Sequence, residues 1–260
     1  MSGSALILTY HAVEPGPAPL CVDPGLFREH LEVLAECDAV SVKISELADL
    51  LRGDGLARRH IAITFDDGFA SVARDAAPLL AERGLRATVF CVAGHLGRTN
   101  DWPTQPTRAP RRTLASEKEL VELAAAGFEI GSHGMAHVPL ESASGEVVRR
   151  ELIDSKKALE DIVGVPVTSF AHPYGRPPGN AAGDSLLRSS YAAACTGTMG
   201  FVNDGSDPLA LPRIDVHYVR RPRLLRRALE GSLGRYLGIR RAGARARRVF
   251  RPDYARPPGP

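Results

Sequence analysis

Six short, nearly unbroken apolar runs recur along this chain, and segments with helical period lie between them. The runs are Ala5–Tyr10, His60–Phe65, Ala87–Val92, Phe128–Gly131, Val167–Ala171 and Tyr191–Thr196. Runs of this length without apolar–polar alternation suit strands buried on both faces of a parallel sheet. Ala39–Val42 and Leu209–Val216 are two weaker candidates. Helical patterns fall over Leu26–Glu36, Ser71–Arg83, Ser116–Ala126, Ser144–Val163 and Leu224–Leu237. Ser116 opens a capping box with Glu119, and Gly84, Gly127 and Gly164 stand where helix C-termini need them. Strand–helix alternation predicts an α/β fold, and seven or eight strands in one chain of this size favour a closed barrel over an open sheet.

Apolar content of 44% and charged content of 24% exclude a mainly disordered chain. No apolar run approaches the roughly 20 residues that a membrane-spanning helix needs. The start, Met1–Tyr10, carries no basic segment and too short an apolar run for a secretory signal, which predicts a cytoplasmic protein. Cys21, Cys37, Cys91 and Cys195 are scattered without a C-x-x-C pair, so free thiols are expected.

The charge is unevenly spread. Residues 220–256 hold thirteen Arg against Glu230 and Asp253. The expected division is a barrel domain over 1–238 and a loosely packed Arg/Pro/Gly-rich tail over 239–260. Residues 220–229 read as a basic amphipathic helix, able to touch an anionic membrane surface. Aromatic residues are sparse there (Tyr236, Phe250, Tyr254), which argues against nucleic acid as a partner. Oligomeric state is not legible.

Polar residues interrupt the apolar runs at their C-terminal ends. Tyr10-His11 follows the first, Asp66-Asp67-Gly68 the second, Ser132-His133 the fourth and His172-Pro173-Tyr174-Gly175 the fifth. Arg213 and Asp215 lie in the last weak candidate. In a parallel barrel these ends share one face, where active sites are built. Adjacent carboxylates ending a buried strand repel each other and are costly to desolvate, a cost that a cation removes. His133 and His137, at i and i+4, would stand on one side of a helical turn. Two imidazoles and a carboxylate match a catalytic zinc site with a position left for water.

Thr64-Phe65-Asp66-Asp67-Gly68, then Ser132-His133-Gly134-Met135-Ala136-His137, then Pro173-Tyr174-Gly175, in this order, resemble the polysaccharide deacetylase family (NodB-homology domain, carbohydrate esterase family 4). The opening ILTYHAV, residues 7–13, resembles members that begin with a Tyr-His strand, and the likeness extends over residues 5–220. It implies a deformed (β/α) barrel of about seven parallel strands. It also implies metal-dependent hydrolysis of N-acetyl groups on an amino sugar or glycoconjugate. By the resemblance, Asp67, His133 and His137 hold one divalent metal ion. Zinc is the first choice, with cobalt, nickel or iron as alternatives. Asp66 would be the general base, and the Tyr174 backbone N–H would face the oxyanion.

Two features depart from the family pattern. The late Leu-x-His motif is not matched cleanly by Leu211–His217, so the general acid is expected at His11, with His217 as the alternative. Ala171 stands where the third motif carries an arginine, and Arg213 is the candidate to replace it beside Asp66. Trp102, in the proline-bearing loop 98–113, is a candidate sugar-stacking platform. His172 is a candidate cleft residue. Two other readings stay open: a deacylase of a non-sugar amide or formamide, and a non-catalytic carbohydrate-binding protein.

Overall fold

The computed structural model describes residues 3–37, 39–105, 109–234, 236, 238 and 239. Apart from Ile239, the expected tail 239–260 lies outside the described residues.

Seven parallel strands close into a barrel: β1 (Ser4–Tyr10), β2 (Arg59–Phe65), β3 (Ala87–Cys91), β4 (Glu129–Ser132), β5 (Ser169–Ala171), β6 (Ala193–Met199) and β7 (Leu211–Asp215). Each pairs with its neighbours in sequence, and β1 closes the ring by pairing with both β2 and β7. The weak candidate over 209–216 is therefore a full stave. The one over 39–42 is not. Val40 and Ser41 only extend the sheet beside the start of β2.

The helices are α1 (Pro24–Ala35), α2 (Ile44–Arg52), α3 (Ala77–Ala81), α4 (Glu117–Ala125), α5 (Gly145–Arg149), α6 (Ser155–Val163), α7 (Ala181–Ser190) and α8 (Pro222–Leu229). The capping box forms as expected: Ser116 Oγ accepts from Glu119 N, and Glu119 accepts from Ser116 N. The patterns over 71–83 and 144–163 are each interrupted by a π-helical stretch, Val72–Ala76 and Arg150–Asp154. Helices α2 and α7 are additions to the sequence expectation.

Strand alternation sorts the core into two parts. Leu6, Leu8, Ile61, Ile63, Val89 and Ile130 face the surrounding helices. Ala5, Ile7, Ala62, Phe90, Ala171 and Ala193 face inward. The ring is narrow, so its lining is mostly small and one Phe90 ring fills the middle. Gly131 is obligatory for that reason, since a Cβ there would lie 2.5 Å from the Phe90 ring. Helix α2 closes the end at which the strands begin. Its Ile44, Leu47 and Ala48 join the inward cluster. Its N-terminal amides are held by Thr88 Oγ1 (3.1 Å) and the Glu129 carboxylate (3.1 Å). The other end, where the strands finish, is left for chemistry.

No helix among the described residues is long and apolar enough to cross a membrane. The expectation that 220–229 offers an apolar face to a membrane surface is corrected. Leu225, Ala228 and Leu229 of α8 are buried in its packing against α1, and Arg226 pairs with Glu36. That apolar face is already covered by the protein.

Candidate functional site

The ladder between β1 and β2 runs one residue past β2, with Asp66 N donating to the Tyr10 carbonyl at 2.9 Å. The chain then turns sharply, because Asp67 takes a left-handed conformation (φ 69°). This turn sends the two neighbouring carboxylates to different partners.

Asp66 meets Arg213 from β7. The guanidinium donates to both oxygens, at 2.7 and 2.9 Å, and both side chains are buried. Opposite β7, β6 carries extra residues, since Leu211 pairs with Cys195 but Arg213 with Met199. The Thr196 carbonyl in that irregular stretch accepts from Arg213 Nε at 3.3 Å, which orients the guanidinium. Burial alone would push the Asp66 carboxyl up, but Arg213 outweighs it and holds the group well below the usual carboxylate range.

Asp67 meets both histidines. Its Oδ1 lies 3.5 Å from His133 Nε2 and 3.3 Å from His137 Nε2. One ligand atom from each residue falls within 4.8 Å of the others, and all three residues are buried. The expected helical turn between the histidines is not present. Gly134 (φ 85°) and His137 (φ 55°) are left-handed, so the segment is a tight loop, and i,i+4 spacing brings the rings together by another route. His133 Nδ1 donates to the Ala171 carbonyl at 2.7 Å, which leaves Nε2 as the lone-pair nitrogen facing Asp67. Burial pushes the His133 imidazole down to about 4.

Trp102, Thr104 and Tyr174 hold His137 from behind. The Trp102 ring stacks on the imidazole at 4.3 Å, and Tyr174 meets it edge-on at 4.6 Å. Thr104 Oγ1 donates to the His137 carbonyl at 2.9 Å, and Tyr174 Oη donates to the Thr104 carbonyl at 2.8 Å. Trp102 is only 2% exposed. The sugar-platform expectation is therefore corrected: the ring face is spent on His137. His172 is corrected too. It is fully buried and does not line the cleft, and its backbone N–H bonds the Cys195 carbonyl. Burial pushes its imidazole down to about 3.

A cleft of about 680 Å³ lies over these groups, lined by His11, Asp66, Asp67, His133, His137, Tyr174 and Arg213 among others. His217 is exposed, lies outside that lining and packs against Tyr218. Among the described residues, the only non-glycine residues with positive φ are Asp67, His137 and Tyr174 (φ 57°), and all three line the cleft. Strain concentrated in this way marks a functional site. Sequence reasoning missed two contributors, Thr104 and Glu151. The Glu151 carboxylate accepts from the Met135 and Ala136 amides of the histidine loop. Neither sits at a strand end or in a recognisable spacing.

Removing Arg213 strands a buried carboxylate. Arg213→Leu is expected to lose about 3–5 kcal/mol of stability, read by urea denaturation. Combining it with Asp66→Asn should recover part of that loss. Additive losses would show that the two side chains are not energetically paired.

The polysaccharide deacetylase family model matches residues 54–187, just over half of the chain. YxkH of Bacillus subtilis, whose name places it among polysaccharide deacetylases, is 27% identical over 171 residues, covering 65% of this chain and 56% of its own. A Staphylococcus aureus poly-beta-1,6-N-acetyl-D-glucosamine N-deacetylase is 26% identical over 163 residues, covering 59% of this chain and 53% of its own. The chain thus spans about half the length of these two curated relatives. The Streptococcus pyogenes deacetylase PplD, solved in complex with acetate, superposes with a TM-score of 0.70 at 25% identity, over 83% of this chain and 93% of that one. IcaB from Ammonifex degensii superposes with a TM-score of 0.71 at 22% identity, over 88% and 97%, a likeness of fold.

Proposed function

The chain belongs to the polysaccharide deacetylase family, and on that premise we propose that its barrel, within residues 1–238, hydrolyses the N-acetyl group of an amino sugar or glycoconjugate. The observation that carries the reading is the convergence in one cleft of a ligand set (Asp67, His133, His137) with a separate, arginine-held carboxylate (Asp66).

Asp67, His133 and His137 would hold a divalent metal, and we propose zinc first. The residues fit such an ion. Asp67 Oδ1 is buried without a hydrogen-bond partner, and the nearby imidazole nitrogens complete a two-nitrogen, one-oxygen donor set. A bound ion of this kind polarises an amide carbonyl and makes water a better nucleophile at neutral pH.

The chain's own groups do the rest. Arg213 keeps Asp66 ionised and fixes its plane, so the carboxylate is set to take a proton from the attacking water. As the C–O bond forms, the carbonyl oxygen becomes negative, and the Tyr174 backbone N–H is assigned to it. The C–N bond then breaks, and the departing amine needs a proton. We assign that delivery to His11, which lines the cleft at the end of β1. His11→Ala is expected to lower turnover by about 10²-fold or more, whereas His217→Ala should leave it unchanged. The reverse pattern would move the acid to His217.

The test of the whole reading is metal content and acetate release by the wild-type protein. The polymer named for the Staphylococcus aureus relative makes an oligomer of N-acetyl-D-glucosamine the first substrate to try. A panel of non-sugar acyl amines separates a sugar deacetylase from a general amidase. Stoichiometric metal with no acetate from any sugar would end the proposal.

A further inference from the structure

We propose that Glu151 is a positioning residue that gives the two-histidine loop its metal-ready shape. The inference rests on the metal reading above and concerns how this chain prepares that site.

Glu151 is 1% exposed and lies outside the cleft. Its Oε2 accepts from Met135 N at 2.9 Å and Ala136 N at 3.1 Å, and its Oε1 accepts from Ala136 N at 3.1 Å. These amides belong to the three residues between His133 and His137. The loop has left-handed residues at Gly134 and His137, so helical bonding does not support it. Its carbonyls at Gly134 and Met135 are taken by the Ala93 and Gly94 amides. Consecutive amides converging on one carboxylate form an anion-binding concavity, here filled by the chain itself. A buried carboxylate is costly unless it is satisfied in this way.

Two further features fit the role. Glu151 sits in the π-helical stretch Arg150–Asp154, and a π-bulge shifts side-chain register at functional sites. A Cβ on Gly134 would lie 2.3 Å from Glu151 Oε2, so the loop is closed down on the carboxylate. Ser155 joins the same assembly. Its Oγ lies 2.8 Å from Ser132 Oγ, which accepts from Gly134 N at 3.1 Å.

The experiment titrates metal-free full-length protein with zinc chloride in a calorimeter and follows amide hydrogen exchange over 134–137. In Glu151→Gln one acceptor oxygen becomes a donor facing other donors. Zinc affinity is expected to fall roughly 10–100-fold, with faster exchange at Met135 and Ala136. A folded Glu151→Gln with wild-type affinity and wild-type protection overturns the proposal, as does a variant that only melts earlier. If Glu151→Gln does not fold, Glu151→Asp carries the test, and wild-type affinity with wild-type protection there overturns it equally. Failure of the wild-type protein to bind zinc would instead overturn the metal reading beneath it.

Discussion

Asp66→Asn is expected to keep the metal and lose turnover by about 10²–10⁴-fold, the usual contribution of a positioned proton acceptor. The two effects separate because the loop after β2 sends its carboxylates to different partners. Asp67 faces the imidazoles, and Asp66 faces Arg213. Asparagine keeps the size and one acceptor oxygen but cannot take the proton. It also leaves the buried guanidinium with a neutral partner, so stability should be followed beside activity. The measurements are metal per chain and acetate release from an N-acetylated sugar, below the variant's unfolding range. Near-wild-type turnover would remove Asp66 from the chemistry. Loss of metal would make it a ligand.

His133→Ala is expected to lose metal and turnover together. Its Nε2 is one of the three atoms proposed to hold the ion, and its Nδ1 is anchored on Ala171. With the ring gone, Asp67 and His137 remain as a two-ligand site, and affinity should fall further than the roughly 10–100-fold typical of losing a supporting group. Zinc titration and acetate release read the two losses separately. Tight zinc binding by the folded variant would show that the ion sits elsewhere. Burial keeps this imidazole neutral down to about pH 4, so across neutral pH its lone pair is free for an ion.

The strands and the residues that end them were legible because a strand buried on both faces admits few polar residues. Asp66, Asp67, His133 and Arg213 therefore stand out against Ile61, Ile63, Ile130 and Ile214. Arg213 was legible as a partner for Asp66 only once Ala171 was seen to occupy the arginine's usual place. Other features are set by tertiary contacts that leave little local trace. The i,i+4 spacing of the histidines is the same for a helical turn and a tight loop, and only the left-handed backbone at Gly134 and His137 distinguishes them. Trp102 in a polar loop reads as exposed until the loop folds back and stacks it on His137. Helix α7 buries little besides Gly183 and Leu187, so its apolar stripe is thin. Helix α8 has the pattern of a membrane-surface helix, and only its packing on α1 shows that the apolar face is taken. Nothing around Glu151 announces that its carboxylate reaches back to Met135 and Ala136.

The ring closes where the first strand meets the last, over a seam whose register is Leu8 with Ile214 and Thr9 with Asp215. His11 leaves one side of that seam and Arg213 arrives on the other. During synthesis on the ribosome, every earlier stave can be laid down while the Asp66 carboxylate still lacks its guanidinium and Leu8 and Thr9 of the opening strand still lack their partners on β7. A chain ending before Leu211 is therefore expected to leave Asp66 without Arg213 and the ring open at Leu8 and Thr9, and to release no acetate from an N-acetylated sugar.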